Sequence, residues 1–223
     1  MELVRTILAD RRFHRLAWLG VVLGIGLLVL AWRLGVDWEA LRDGWLAAEG
    51  FLRDRPWWFF AALVVLPGFP VPMTAMLVLA GTMWRDQPAV ACGIALSAMV
   101  LNMSWTYWAA AGPARRLVEK LLDWGRLPVP KLPKNDQLRV LLILRLTPGI
   151  PLFFQNYLLG FLQVPFRLYL PVSMGISGMI ACGVVLGGAG VAGGNFIPIL
   201  SGLGLIVAGV IVVKWARARV LGM

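Results

Sequence analysis

Apolar residues run along this chain in long blocks, not in the two-residue alternation of a strand. The blocks Leu16–Leu34, Pro88–Gly112, Leu168–Val191 and Phe196–Trp215 are each 19 to 25 residues long. At 1.5 Å per helical residue each can cross the roughly 30 Å of bilayer hydrocarbon. The first block follows Arg5, Arg11, Arg12 and Arg15 and is followed by Gly35-Val36-Asp37-Trp38-Glu39, without a small-x-small cleavage pattern. It reads as a retained first transmembrane helix and not as a cleaved signal.

Two further apolar segments are interrupted. Trp57–Leu66 meets Pro67-Gly68-Phe69-Pro70-Val71-Pro72 and resumes from Met73 to Trp84. Leu138–Thr147 meets Pro148-Gly149-Ile150-Pro151 and resumes from Leu152 to Val164. Ten helical residues reach only about 15 Å, half the hydrocarbon core. Pro67, Gly68, Pro70 and Pro72 break the first segment, and Pro148, Gly149 and Pro151 the second, because proline removes an amide donor and glycine relaxes the backbone. Each segment is either a kinked single span or a re-entrant hairpin.

Charge separates these two readings. With a cytoplasmic N-terminus and two hairpins, the stretch carrying Arg115, Arg116, Lys120, Arg126, Lys131, Lys134 and Arg139 lies inside, as does the tail with Lys214, Arg217 and Arg219. Residues 35–56, where Asp37, Glu39, Asp43, Glu49 and Asp54 outnumber Arg42, Arg53 and Arg55, then lie outside. Single crossings would put the seven-cation stretch outside, against the positive-inside tendency. Hairpins are therefore expected.

The expected architecture is an all-α polytopic membrane protein. It is an inverted repeat with two opposed re-entrant hairpins plus about four transmembrane helices. Its parts are a basic cytoplasmic N-terminus 1–15, a first helix 16–34 and an extracytoplasmic segment 35–56. A core 57–191 holds hairpins 57–84 and 138–164, spans 88–112 and 168–191, and a basic cytoplasmic loop 113–137. A last helix 196–215 and a basic cytoplasmic tail 216–223 complete it. Gly81 and Gly160, at matching places after the breaks, read as packing glycines. Inverted repeats with broken helices are a recurrent transporter design, with the substrate site where the breaks meet. The competing reading is a proline-kinked structural bundle.

Composition agrees with a membrane protein. Of 223 residues, 60% are hydrophobic and 14% charged, with mean hydropathy +0.79. Soluble domains carry about 25% charged residues. The net charge of +10 sets orientation here and is not read as a nucleic-acid footprint. The stretch Pro113–Asp136 interleaves its cations with Leu117, Val118, Leu121, Leu122 and Trp124, which suits an anionic inner leaflet.

Candidate chemistry is sparse. Arg145, beside the second break, would cost roughly 2.5–3.5 kcal/mol to insert at a helix centre, so it needs a partner or water. Neutral Gln155, Asn156, Asn102, Ser104 and Thr74 are its nearest intramembrane polar candidates, and no acid is offered by the first hairpin. Arg145 is either an anion receptor, with its planar fork suited to phosphate, or a brace holding carbonyls freed by the break. Asn156 fits a cross-link between the hairpins or a carbonyl cap. Arg167 fits snorkelling to headgroups, with substrate contact as the rival role. Cys92 and Cys182 read as buried thiols, indicating neither a metal site nor a redox compartment. His14 is the single histidine, and Ser97, Ser104, Ser173 and Ser177 lack histidine or aspartate support, so neither a metal centre nor a catalytic triad is expected. No nucleotide-binding motif appears.

Two signatures carry a family resemblance. Leu144-Arg145-Leu146-Thr147-Pro148-Gly149-Ile150-Pro151, followed by Asn156-Tyr157-Leu158-Leu159-Gly160, resembles the core of the DedA/VTT superfamily, also called the SNARE-associated Golgi protein domain. Pro67-Gly68-Phe69-Pro70 through Leu79-Ala80-Gly81 is similar to its other signature. The resemblance covers roughly residues 55–190 and lies closest to the branch with Tvp-type and vacuole-membrane-type proteins. It implies a lipid scramblase, or a carrier of polyprenyl phosphate or phospholipid. Arg145 matches the family arginine of the second hairpin. Two departures stand out: Val64-Val65-Leu66 where the bacterial branch has an acid, and Pro151-Leu152 where it has a second arginine. Both speak against proton-driven transport and specific undecaprenyl-phosphate recognition.

The expected function is a lipid translocase or scramblase of the bacterial inner membrane, both termini cytoplasmic, moving phosphate-bearing lipids through a hydrated crevice between the hairpins. Arg145, Asn156, Gln155 and Thr147 would touch the substrate and Arg167 the headgroups. Membrane lipids are the partners expected, a homo-oligomer is allowed, nucleic acid is not expected, and no cofactor or enzyme activity is called for. A small-ion or metabolite transporter and a non-transporting assembly factor are the alternatives.

Overall fold

The computed structural model describes residues 38–113, 115, 116, 119, 132, 133, 136–146 and 150–221. The expected first helix 16–34, most of the loop 113–137, and Thr147, Pro148 and Gly149 lie outside the described residues. The chain divides into two compact units between Asp54 and Arg55. Among the described residues every regular element is helical.

In the first unit, α1 spans Trp38–Arg53 within the stretch expected only as an extracytoplasmic segment. Its sequence is amphipathic: Trp38, Leu41, Trp45 and Leu52 recur at helical spacing, while Glu39, Arg42 and Asp43 are exposed. The Arg53 guanidinium reaches Glu49 at 2.8 Å, one turn back.

The second unit begins with α2, Pro56–Val65, which takes a proline in its first turn where the missing N–H costs nothing. It ends in a single 3-10 turn, Leu66–Gly68, because Pro67 cannot continue the amide ladder. Phe69 then turns extended ahead of Pro70, and Pro72 caps the start of α3, Met73–Met83. The rings of Phe59 near the start of α2 and Trp84 just after α3 are 5.6 Å apart. The chain comes back beside its starting point. The second interrupted segment gives α5, Gln137–Leu146, and α6, Leu152–Phe161, the latter again capped by a proline, Pro151.

Each interrupted segment precedes one long helix: α4, Pro88–Ala111, and α7, Phe166–Gly193. These two are long and apolar enough to cross a membrane. They match the expected spans 88–112 and 168–191. The last helix, α8, spans Phe196–Leu221 and contains the expected span 196–215. Gly194, at φ +61°, and Asn195 make the tight link from α7, with Asn195 Oδ1 accepting the Ile197 N–H at 3.0 Å.

Packing crosses over. The second arm α3 packs mainly on α7 and less on α4, the helix that follows it, and a Cβ on Gly81 would collide with the Val185 carbonyl. The second arm α6 seats on α4 instead, where a Cβ on Gly160 would stand 2.5 Å from the Tyr107 carbonyl oxygen. Gly81 and Gly160 each lie nine residues after the capping proline of their arm, Pro72 and Pro151. Val185 and Tyr107 are each the twentieth residue of their long helix. Counting from the capping proline, not from the Pro-Gly pair, brings the two segments into register.

The outer surface is strongly apolar. Trp57, Val191 and Phe196 are more than 70% exposed, and α8 shows Ile197, Leu200, Leu203, Val207, Val210, Ile211 and Trp215 along its length. Apolar surface on this scale marks contact with lipid or protein, not water.

Candidate functional site at the two breaks

Arg145 lies one turn beyond buried Leu141 on the same face of α5, so the packing that buries Leu141 and Leu142 carries the guanidinium inward as well. It is 9% exposed. Among the described residues no carboxylate pairs with it, and its three nitrogens all donate to neutral oxygens. Nε reaches Ser173 Oγ at 3.0 Å, Nη1 reaches Gln155 Oε1 at 3.1 Å, and Nη2 reaches Asn156 Oδ1 at 2.7 Å. Its carbon Cζ stands 5.5 Å from the Tyr169 ring centroid. Neutral acceptors and one aromatic face hold the charge without cancelling it.

Those contacts tie α5 to both α6 and α7. Asn156 joins α5 to α6, and among the described residues it makes no bond to the first interrupted segment and its Nδ2 has no partner. Gln155 does two things: it accepts from Arg145 and donates from Nε2 to the Ile150 carbonyl at 2.9 Å, capping backbone freed by the break. Of the other polar candidates, Asn102 donates to the Val64 carbonyl at 2.7 Å, near the end of α2. Ser104 donates back to Val100 within its own helix at 2.6 Å. Arg167 is exposed on the first turn of α7.

Ser173, Tyr169 and Trp105 complete the arrangement, and none stands out in the sequence. Ser173 and Tyr169 are four residues apart and hence on one face of α7, which is the one signal that could have paired them with a buried cation. Trp105 stands between the two interrupted segments. Its Nε1 donates to Val64 O at 2.8 Å, and its ring lies 6.3 Å from Phe69 and 6.4 Å from Tyr157. A side chain at Gly68 would collide with that ring. Two tyrosines tie α4 to the second half. Tyr107 donates to Val164 O at 2.7 Å and stacks on Tyr169 at 4.9 Å, and Tyr169 donates to Met103 O at 3.2 Å.

The two breaks share one cavity. An open cavity of about 470 Å³ is lined by Pro67, Pro70, Val71, Pro72, Met73 and Thr74 from the first and Ile150, Pro151, Leu152 and Phe153 from the second. Met73 and Thr74 open α3, and Leu152 and Phe153 open α6. No side chain caps either terminus, since both cap positions are proline. The first amides of a helix have no intrahelical acceptor, so two uncapped N-termini border one space. Among the described residues, no group of three metal-ligating side chains gathers anywhere. No known family model, characterised protein or solved structure matches the chain.

Proposed function

We propose that this protein is a membrane lipid translocase or scramblase, related to the DedA/VTT superfamily. Phosphate-bearing headgroups would pass through the cavity between two re-entrant hairpins. One observation carries the reading: a cavity of about 470 Å³ walled by both proline breaks and bordered by the uncapped starts of α3 and α6. Helix N-termini present free amides and a partial positive charge, which favour an anion. Broken helices facing a midplane cavity are how many transporters receive anionic groups. Backbone of this kind is tolerated at membrane depth only where it is buried in protein or lines water.

In this reading α2–α3 enters from outside and α5–α6 from the cytoplasm. The return of Trp84 to Phe59 and the crossed seating of Gly81 and Gly160 support a pair of inverted hairpins. Arg145 has its hydrogen-bonding nitrogens committed to Ser173, Gln155 and Asn156. Its role is to brace the second hairpin and, through the Gln155–Ile150 link, to keep a positive charge behind the cavity wall. Lipid tails stay in the bilayer while the headgroup crosses, so the path lowers the flipping barrier without coupled chemistry.

The test is reconstitution of the pure chain into vesicles with fluorescent phospholipid and, separately, polyprenyl-phosphate reporters, following leaflet exchange by surface quenching. Thr74→Asp places a carboxylate on the cavity wall in the first turn of α3, where it suits the helix dipole. The variant is expected to fold at least as stably as wild type yet move lipid about tenfold more slowly, the factor that about 1.4 kcal/mol of lost anion stabilisation gives. Thr74→Asn should move it normally. Movement at the wild-type rate in Thr74→Asp, or none in wild type, removes the proposal. Uptake of a soluble anion without lipid exchange would put a small-ion transporter in its place.

A further inference from the structure

Cys92 lies in the second turn of α4, and Cys182 lies in the second half of α7. The two helices cross with Leu96 against Gly178, where a side chain on the glycine would meet Leu96 at 3.1 Å. One turn along each helix from that crossing, Cys92 and Cys182 come together. Cys92 Sγ is 4.0 Å from the Cys182 carbonyl oxygen. Both are free and half-buried. Neither lines the cavity nor touches Arg145, and among the described residues no third ligand joins them to make a metal site. A disulfide needs its two residues in close approach, and Cys92 Sγ already lies beside the Cys182 backbone.

We propose that Cys92 and Cys182 are a reversible dithiol–disulfide pair that covalently joins α4 to α7. The co-reactant is a disulfide-bearing oxidant. The thiolate of one cysteine attacks a sulfur of that oxidant, releasing its first thiol and leaving a mixed disulfide on the protein. The thiolate of the other cysteine then attacks the protein-bound sulfur, forming the Cys92–Cys182 bond and expelling the second thiol. Two electrons pass to the oxidant, and the two protons end on its released thiols. The bond would fix the crossing of the two helices that seat the hairpin arms. Its position at the extracytoplasmic end of α4 rests on the topology proposed above, whereas the pairing itself does not.

The experiment uses the full chain, reduced and held in lipid nanodiscs, treated with 4,4′-dithiodipyridine and read by intact mass. Wild type is expected to lose two hydrogens, keep no pyridylthio group and release two thiopyridones, with dithiothreitol restoring the starting mass. Cys92→Ser and Cys182→Ser should each keep one pyridylthio group and release one thiopyridone, which shows that each remaining thiol is within reach. A wild type that keeps two pyridylthio groups, or that keeps two free thiols, overturns the pairing. The readout does not involve lipid movement, so it stands or falls separately from the proposed transport.

Discussion

Arg145 donates to three neutral oxygens that sit on two different helices, and this geometry decides which substitutions it can survive. A guanidinium spreads its donors over a planar fork, whereas a lysine offers one compact ammonium. Lysine at this position keeps the charge but cannot reach Ser173, Gln155 and Asn156 together. Buried hydrogen bonds to a charged group contribute about 1.5–3 kcal/mol, so Arg145→Lys should cost about 1–3 kcal/mol, enough to lower the unfolding midpoint by several degrees in nanodiscs. If the lysine variant melts with wild type, the brace is not what holds α5 to α6 and α7. Arg145 itself is conspicuous in the sequence because a lone cation in an apolar run has to be explained. Its partners are less so: Gln155 and Asn156 stand out as amides in an apolar arm, but Ser173 and Tyr169 lie on a helix whose orientation toward α5 no local pattern states.

Among the elements, the crossed seating of the arms makes a prediction with opposite signs at different glycines. Glycine in a helix interior is about 0.5–1 kcal/mol less favourable than alanine, so Gly93→Ala on α4 and Gly175→Ala on α7 should raise stability slightly, since a Cβ at either meets nothing within 4 Å. At Gly81 and Gly160 the same methyl runs into the carbonyls of Val185 and Tyr107, which belong to helix backbone and cannot swing away. Overpacking of this kind costs about 1–3 kcal/mol, so Gly81→Ala and Gly160→Ala should lower the melting midpoint where the other pair raises it. Equal effects at all four positions would mean that the close approaches are not rigid. That both glycines pack could be anticipated from the repeated Pro-Gly pattern. Which helix each one faces could not, because seating mainly on α7 and less on the adjacent α4 depends on contacts about a hundred residues apart in sequence.

For the whole molecule, the decisive quantity is which side of the bilayer each end of an interrupted segment meets. The hydropathy blocks were legible because bilayer thickness fixes their length, and α4 and α7 match them within a few residues. The breaks at Pro67 and Pro151 were legible because proline forbids the amide ladder. The re-entrant turn is a proposal that rests on charge parity, and the 5.6 Å contact between Phe59 and Trp84 is consistent with it. A half-length helix of about 15 Å on each side of a break can run on through the membrane or fold back beside itself. Only the second option brings the residue after α3 next to the start of α2. Single cysteines placed at Trp57 and at Trp84 in a cysteine-free background should then both react with a membrane-impermeant maleimide from one face of sealed vesicles. A cysteine at exposed Gln163, just after α6, should react from the other face. The positions are exposed or at helix ends, so the labels report sidedness and not burial. Labelling of Trp57 and Trp84 from different faces would make the first segment a kinked span. The basic loop would then fall outside, and two opposed helix starts could no longer meet in one cavity from opposite sides of the membrane.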